Sequence, residues 1–427
     1  MKFNRTVIDI QWAFISIAIS SLVHFLLRII IGKDLGVDGL GVYTLIFTIY
    51  LFGMQFANFG IGAAITKYVA EKNEDISSIT RFVSYGIISS VLVGTIISII
   101  LFFLSPFISL YIFHDSNVEI LLKITALCFP FIAVQKAVLG GLNGLRKMKY
   151  YAFLNIILNV LTIIVSIILV IILNMGIIGA VIGFVIPTVI SGILSFITIK
   201  EYFIIPNQLF NETFIIITSF GFYVMLGNSI SMINTQINTL LLGFYLNTFE
   251  VGLFAVATTL IQGMLLIPSS IQIISGPSFS RLNSKKEYTS LKLVTKKCII
   301  YTFIVMFIIS IIFIIVGNQL IPLLFTEDYK AAYIPLVIMI IGYLIYSPFV
   351  SIGSIFANIG QVKLSFKINL ISTFITVILN LIMIPTYGII GAAIATTISL
   401  IITTIINLAI IKIYINKWTL KIVTKPN

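Results

Sequence analysis

Charge is what this chain lacks most. Only 9% of its 427 residues are Asp, Glu, Lys or Arg, against about a quarter in an average soluble domain. With 59% hydrophobic residues and a mean hydropathy of +1.16, a soluble fold would carry far more apolar surface than it could bury. Histidine is scarcer still. His24 and His114 are the only two, which leaves histidine-based acid–base chemistry little to work with. The two cysteines, Cys128 and Cys298, are too few and too far apart for a disulfide framework or a cysteine-rich metal site. The phosphate-binding loop pattern G-x-x-x-x-G-K-[ST] is missing, and nothing calls for a cofactor. No segment between apolar runs is long enough to fold as a domain outside the membrane.

What the chain has is a series of apolar runs, each near the roughly 20 residues a membrane-crossing helix needs. Twelve are expected, near 11–31, 42–65, 82–104, 119–140, 152–174, 177–199, 214–242, 251–273, 299–322, 333–356, 369–385 and 389–412. The first follows Lys2 and Arg5 as a signal peptide would. It is nevertheless long enough to span, lacks a small-x-small cleavage pattern and carries Arg28, so it is expected to be a retained first helix.

The net charge of +12 is explained by where the bases fall rather than by nucleic-acid binding. With the N-terminus cytoplasmic, 22 of the 26 Lys and Arg fall in inner segments, leaving only Arg28, Lys33, Lys123 and Lys330. The expectation is a multi-pass protein of the cell membrane with both termini inside. Asn211-Glu-Thr213 then lies in an inner connection, where a glycosylation sequon has no use. The basic stretches Lys67–Arg81 and Arg281–Lys297 are expected either to touch anionic lipid or to be solvated loops.

The chain also repeats itself. Gly41-Val-Tyr43 recurs as Gly252-Leu-Phe254, and Gly176-Ile-Ile-Gly-Ala180 recurs as Gly388-Ile-Ile-Gly-Ala392. Lys149 and Asn155 return 214 residues later as Lys363 and Asn369, and Pro130-Phe131 returns as Pro348-Phe349 at a shift of 218. Two six-helix halves, 1–205 and 206–427, follow. An even number of spans gives them the same orientation, so they are parallel repeats that can enclose a cleft and rock for alternating access.

Polar side chains within spans normally face the bundle or a water-filled cavity. In the first helix Ser16, Ser20, Ser21, His24 and Arg28 share one face, and in the second so do Thr44, Thr48, Gln55 and Asn58. Helix seven offers Asn228, Ser231, Thr235, Asn238 and Thr239. Helices five and eleven carry matching stripes, Asn155-Asn159-Thr162-Ser166 and Asn369-Thr373-Thr376-Asn380, which either line a path or hold helices together. None of the fourteen acids lies deep in a span. A cavity with Arg and His but no carboxylate prefers an anion, and the planar guanidinium suits phosphate. The candidate substrate-binding set is therefore Arg28, His24, Ser20, Gln55, Asn58, Asn228, Thr235 and Asn238, with Arg28 alternatively reaching to the outer surface. Lys136 and Lys123 are expected to be interfacial, and no metal site is expected.

The stretch Arg28-Ile-Ile-Ile-Gly-Lys-Asp-Leu-Gly-Val-Asp-Gly-Leu-Gly-Val-Tyr43, with Phe59-Gly-Ile-Gly62 and Thr66-Lys-Tyr-Val-Ala70, resembles the start of polysaccharide (O-antigen, Wzx-type) flippases. Leu142-Asn-Gly-Leu-Arg-Lys-Met-Lys149 and the twin Gly-Ile-Ile-Gly-Ala segments fit as well. These flippases belong to the MATE-like multidrug/oligosaccharidyl-lipid/polysaccharide exporter superfamily. The resemblance implies an all-α, V-shaped bundle of six plus six helices, working as a monomer. It would move a polyprenyl-(pyro)phosphate-linked oligosaccharide from the cytoplasmic to the outer leaflet, with no covalent step. Membrane potential, sodium or protons are the candidate driving forces. The cationic cavity residues of the family carry over to Arg28, with His24 beside it. Extra C-terminal helices expected of peptidoglycan-precursor flippases have no counterpart, and neither has the first-helix carboxylate of drug exporters or the Asp-Arg-rich motif of the major facilitators. The competing expectations are a drug exporter of the same superfamily and a membrane glycosyltransferase or polymerase.

Overall fold

The computed structural model describes residues 2–72, 75–206, 208 and 211–423, with no strand among them. The side chains of Lys2, Arg5, Lys417 and Lys421, and all of Lys425, counted above as inner bases, lie outside the described residues. Thirteen helices follow in order: α1 (Lys2–Asn58), α2 (Ile61–Glu71), α3 (Ile76–Phe107), α4 (Val118–Ala126), α5 (Phe129–Gly144), α6 (Met148–Ile167), α7 (Gly176–Ile199), α8 (Glu212–Tyr245), α9 (Thr248–Ser284), α10 (Tyr288–Leu324), α11 (Tyr333–Ser351), α12 (Ile355–Asn358) and α13 (Val362–Val423).

Among the described residues, nine helical segments are long and apolar enough to cross a membrane, or ten when α4 and α5, bent by 41°, count as one span. Two of these segments are interrupted by glycines with non-helical backbone: Gly36 in α1 (φ 69°, ψ −171°) and Gly388 in α13 (φ 58°, ψ −137°). Both glycines fall between spans expected from the sequence. The count reaches twelve only where the stretches on either side of them are taken as separate spans. On α10, Ile304, Phe307, Ile308, Ile311 and Ile315 all stand exposed, as a lipid-facing surface requires.

The duplicated glycine motif has one structural explanation in both places. Gly176 and Gly388 each have φ near +58°, at 59° and 58°, a conformation that costs an L side chain about 1–2 kcal/mol. Three residues on, a Cβ at Gly179 would meet the Leu169 carbonyl, and one at Gly391 would meet the Met383 carbonyl. The first glycine turns the chain and the second lets the returning helix lie against the one it came from.

Contacts divide the chain into two compact units, Met1–Met232 and Ile233–Asn427, with the division inside α8. The first unit has a core that includes Ile61, Ile65, Phe82, Val83, Leu139, Leu142 and, from α8, Ile217. The second has one around Phe279, Leu282, Leu291, Phe349, Ile352 and Ile411. The two polar stripes do hold helices together. In the first unit Asn159 donates to the Ser20 hydroxyl on α1 at 2.8 Å. In the second, Thr376 donates to Asn234 on α8 at 2.9 Å and accepts from the Ser399 hydroxyl at 2.5 Å.

The basic connections are shorter than the hydropathy pattern suggests. α9 runs to Ser284 and α10 starts at Tyr288, so most of the Arg281–Lys297 bases sit on helix ends joined by a tight turn. Near the other connection, Lys67 at the end of α2 lies over the rings of Tyr68 and Phe220, 4.8 and 4.6 Å from their centroids. Asn211, the sequon asparagine, accepts the Phe214 N–H at 3.1 Å and so caps the start of α8.

Candidate functional site

The first unit contains a cavity of about 200 Å³ bounded by α1, α5, α6 and α7. Two basic side chains line it, His24 from α1 and Lys136 from α5, and no Asp or Glu does. Ser20, Asn155 and Asn159 add neutral hydrogen-bonding groups, and Asn159 bridges to Ser20. Aromatic rings form a wall. His24 lies 5.7 Å from Phe47, Phe47 is 5.5 Å from Tyr50, and Tyr50 is 5.0 Å from Phe184. Tyr50 also hydrogen-bonds with Thr188 on α7 at 3.4 Å.

Lys136 is placed by small residues. A Cβ on Gly62 would strike the Lys136 carbonyl at 2.6 Å, and one on Gly140 would strike the backbone of Gly62. Only a glycine pair lets α2 and α5 approach so closely. Thr66 fastens the contact by donating to both the Gly62 and Gly140 carbonyls at 2.9 Å. On the other side of α5, buried Gln135 donates to Ser191 of α7 at 2.7 Å. The helix is thus fixed on two faces, and Lys136 is left directed into the cavity. No carboxylate pairs with it among the described residues.

Lys136, expected to be interfacial, thus borders a cavity inside the first unit. The sequence shows a lysine near the end of an apolar run, and hydropathy alone cannot tell a side chain that reaches outward from one held inward by glycine packing. The neighbouring Gln135 and the Gly140-Gly141 pair were the available signals. Lys123, by contrast, is part exposed, pairs with Glu119 at 2.6 Å and lies over the Phe102 ring.

The structure brings together only part of the expected binding set. Ser20 and His24 line the cavity. Arg28, one turn further along α1, is half-buried, is not among the lining residues, and acts electrostatically on His24 and Tyr43. Gln55 donates to the Met225 carbonyl at 3.4 Å, away from the cavity. Asn58 is half-buried, with its amide oxygen enclosed and without a hydrogen bond among the described residues. Asn228 and Thr235 on α8 are exposed. Asn238 is buried in the second unit and donates to Thr396 at 2.6 Å, a contact between helices.

Comparison with known proteins agrees with this architecture. Residues 7–283 match the family described as polysaccharide biosynthesis protein, and residues 224–382 match the MatE family. The capsular polysaccharide biosynthesis protein CapF of Staphylococcus aureus is 27% identical over 191 residues, 44% of this chain and 47% of that protein, so the match spans about half of the relative. The probable flippase AglR of Haloferax volcanii is 23% identical over 385 residues, covering 89% of this chain and 78% of the relative. Among solved structures, the lipid II flippase MurJ in its inward closed conformation superposes with a TM-score of 0.78 at 21% identity, covering 94% of this chain and 87% of that one. The fold is that of a multi-pass, all-helical membrane transporter. The family match extends over well more than half of the residues, and the chain belongs to the polysaccharide biosynthesis protein family.

Proposed function

We propose that this protein is a flippase that carries a lipid-linked oligosaccharide with a phosphate or pyrophosphate link across the cell membrane, and is not an enzyme. The observation that carries this reading is the cavity of the first unit, which has two basic groups, amides and hydroxyls but no carboxylate. A phosphate cannot cross hydrocarbon unaided, because moving an unpaired charge out of water costs many kcal/mol. His24 and Lys136 offer it donors in a place from which lipid is excluded, with Arg28 adding to the positive field. Asn155 and Asn159 supply hydrogen bonds to sugar hydroxyls. The polyprenyl tail stays in the bilayer while access to the cavity alternates between the two sides. The names of the relatives support the same substrate class. The distribution of basic residues supports cytoplasmic termini and loading from the cytoplasmic leaflet.

The MatE match favours one competing reading, export of small cationic drugs. Such a substrate calls for a buried carboxylate, and none lines this cavity. Purified protein in liposomes decides between the two. Wild type should move a fluorescent polyprenyl-pyrophosphate glycan between leaflets faster than protein-free liposomes, and Lys136→Gln should not. Ethidium uptake together with no glycan movement would sink the flippase reading.

A further inference from the structure

The second unit holds a smaller cavity, about 110 Å³, with different chemistry. It lies where α11 ends and the chain unwinds through Ile352–Ser354 before α12, and four positions on α13, Ser365, Ile368, Asn369 and Asn407, help to line it. No charged side chain lines it. The hydroxyls of Tyr346 and Ser365 and the amide of Asn369 make no hydrogen bond among the described residues. Asn407, only 8% exposed, donates to the Thr403 carbonyl at 3.0 Å, which leaves its amide oxygen over. The rings of Phe349 and Phe356 stand beside these groups.

At the shift that relates Pro130-Phe131 to Pro348-Phe349, Gly353 takes the place of Gln135. In the first unit Gln135 occupies this position with a fully buried side chain bonded to Ser191. In the second unit the position is filled from α9 instead, where a Cβ on Gly353 would meet the side-chain nitrogen of Gln272 at 2.8 Å.

Unpaired neutral donors and acceptors beside aromatic faces, without charge, suit a neutral polyhydroxylated ring. Its hydroxyls can exchange hydrogen bonds with amides and hydroxyls, while its C–H face lies on the aromatic wall. An ion would be left without a counter-charge. At ~10–15 Å³ per water-sized group, the space admits about one sugar ring and not a disaccharide. The cavity adjoins the core cluster that contains Leu282 and Leu291, on either side of the basic 285–287 turn. Under the proposed orientation this end is cytoplasmic, the side from which the glycan is loaded.

We propose that this cavity is a recognition pocket for a single neutral sugar ring of the transported glycan. Its part in transport rests on the flippase reading, whereas its capacity to bind a sugar does not. Saturation-transfer NMR on the full chain in nanodiscs, with glucose, galactose and N-acetylglucosamine as separate probes, tests binding. At least one should bind to wild type, and binding should weaken tenfold or more in the double variant Tyr346→Phe/Asn369→Leu. Tyr346→Phe alone, which removes one oxygen and little else, should weaken it threefold or more. Absence of transfer to all three sugars, or wild-type binding by both variants, would show a cavity that holds only water and overturn the proposal. Translocation of sugar-bearing against sugar-free polyprenyl phosphate separates the two readings. The double variant should lose the wild-type preference for the sugar-bearing lipid. If wild type moves neither lipid yet binds a sugar, the flippase reading fails and the pocket stands.

Discussion

Replacing Lys136 with Met should make this protein more stable and less active at once. The lysine ends in a cavity with no carboxylate partner among the described residues, and holding an unpaired charge out of water is costly. Methionine is similar in length, apolar and adaptable, so the variant should gain about 1–3 kcal/mol, in the range seen when buried charge is replaced by packing. For a unit of roughly 200 residues each kcal/mol raises Tm by about 2–4 °C, so the expected rise is roughly 2–12 °C. Transport moves the other way. A hydrogen bond to a charged group contributes about 1.5–3 kcal/mol, so loss of the ammonium should reduce productive substrate binding by about 10–150-fold. Thermal unfolding and liposome translocation at subsaturating substrate read the two effects on one preparation. A lower Tm with unchanged translocation would mean that Lys136 holds the unit together and takes no part in binding, and the cavity argument would fail.

Arg28→Gln should lower translocation with little change in melting temperature; wild-type translocation would confine substrate contact to the cavity lining. Gly176→Ala and Gly388→Ala should each destabilise by about 1–2 kcal/mol through left-handed strain, since at neither position does a Cβ meet anything closer than 3.8 Å. Gly391→Ala should cost more, because its Cβ runs into the Met383 carbonyl; equal melting temperatures for all three would refute the distinction. Asp75 caps α3, and hydrogen bonds from the side chain and backbone of Ser78 hold its carboxyl below the usual value. Its stabilisation is therefore present at neutral pH and is lost as pH falls through that lowered value. The protection factors of amides in the first turn of α3, corrected for intrinsic exchange, should fall in acid for wild type, and Asp75→Asn should remove that pH dependence.

The membrane class, the glycine motifs and the parallel stripes were legible in the sequence because each rests on one-dimensional regularities: run length, spacing and helical period. Gly176 and Gly388 are the clearest example, since residues that match at a fixed shift adopt the same φ. The site was legible only in part. Ser20 and His24 could be found from one helix face, but helical phase says nothing about which neighbouring helix closes against that face. That is decided by contacts such as Gly62 on Gly140 and Gln135 on Ser191, which join residues between 56 and 78 positions apart. They turn Lys136 inward, whereas Gln55 and Asn238, read from the same kind of polar stripe, end on a backbone carbonyl and on a threonine. A polar stripe in a membrane helix has two possible uses, pairing with another helix or facing a cavity, and the choice depends on whether the opposing residue supplies a partner. Asn159 shows that one residue can do both, because it bonds Ser20 across the helix interface and borders the cavity as well. The second unit shows the converse case. There Tyr346, Ser365 and Asn369 meet no hydrogen-bond partner among the described residues and border a cavity instead.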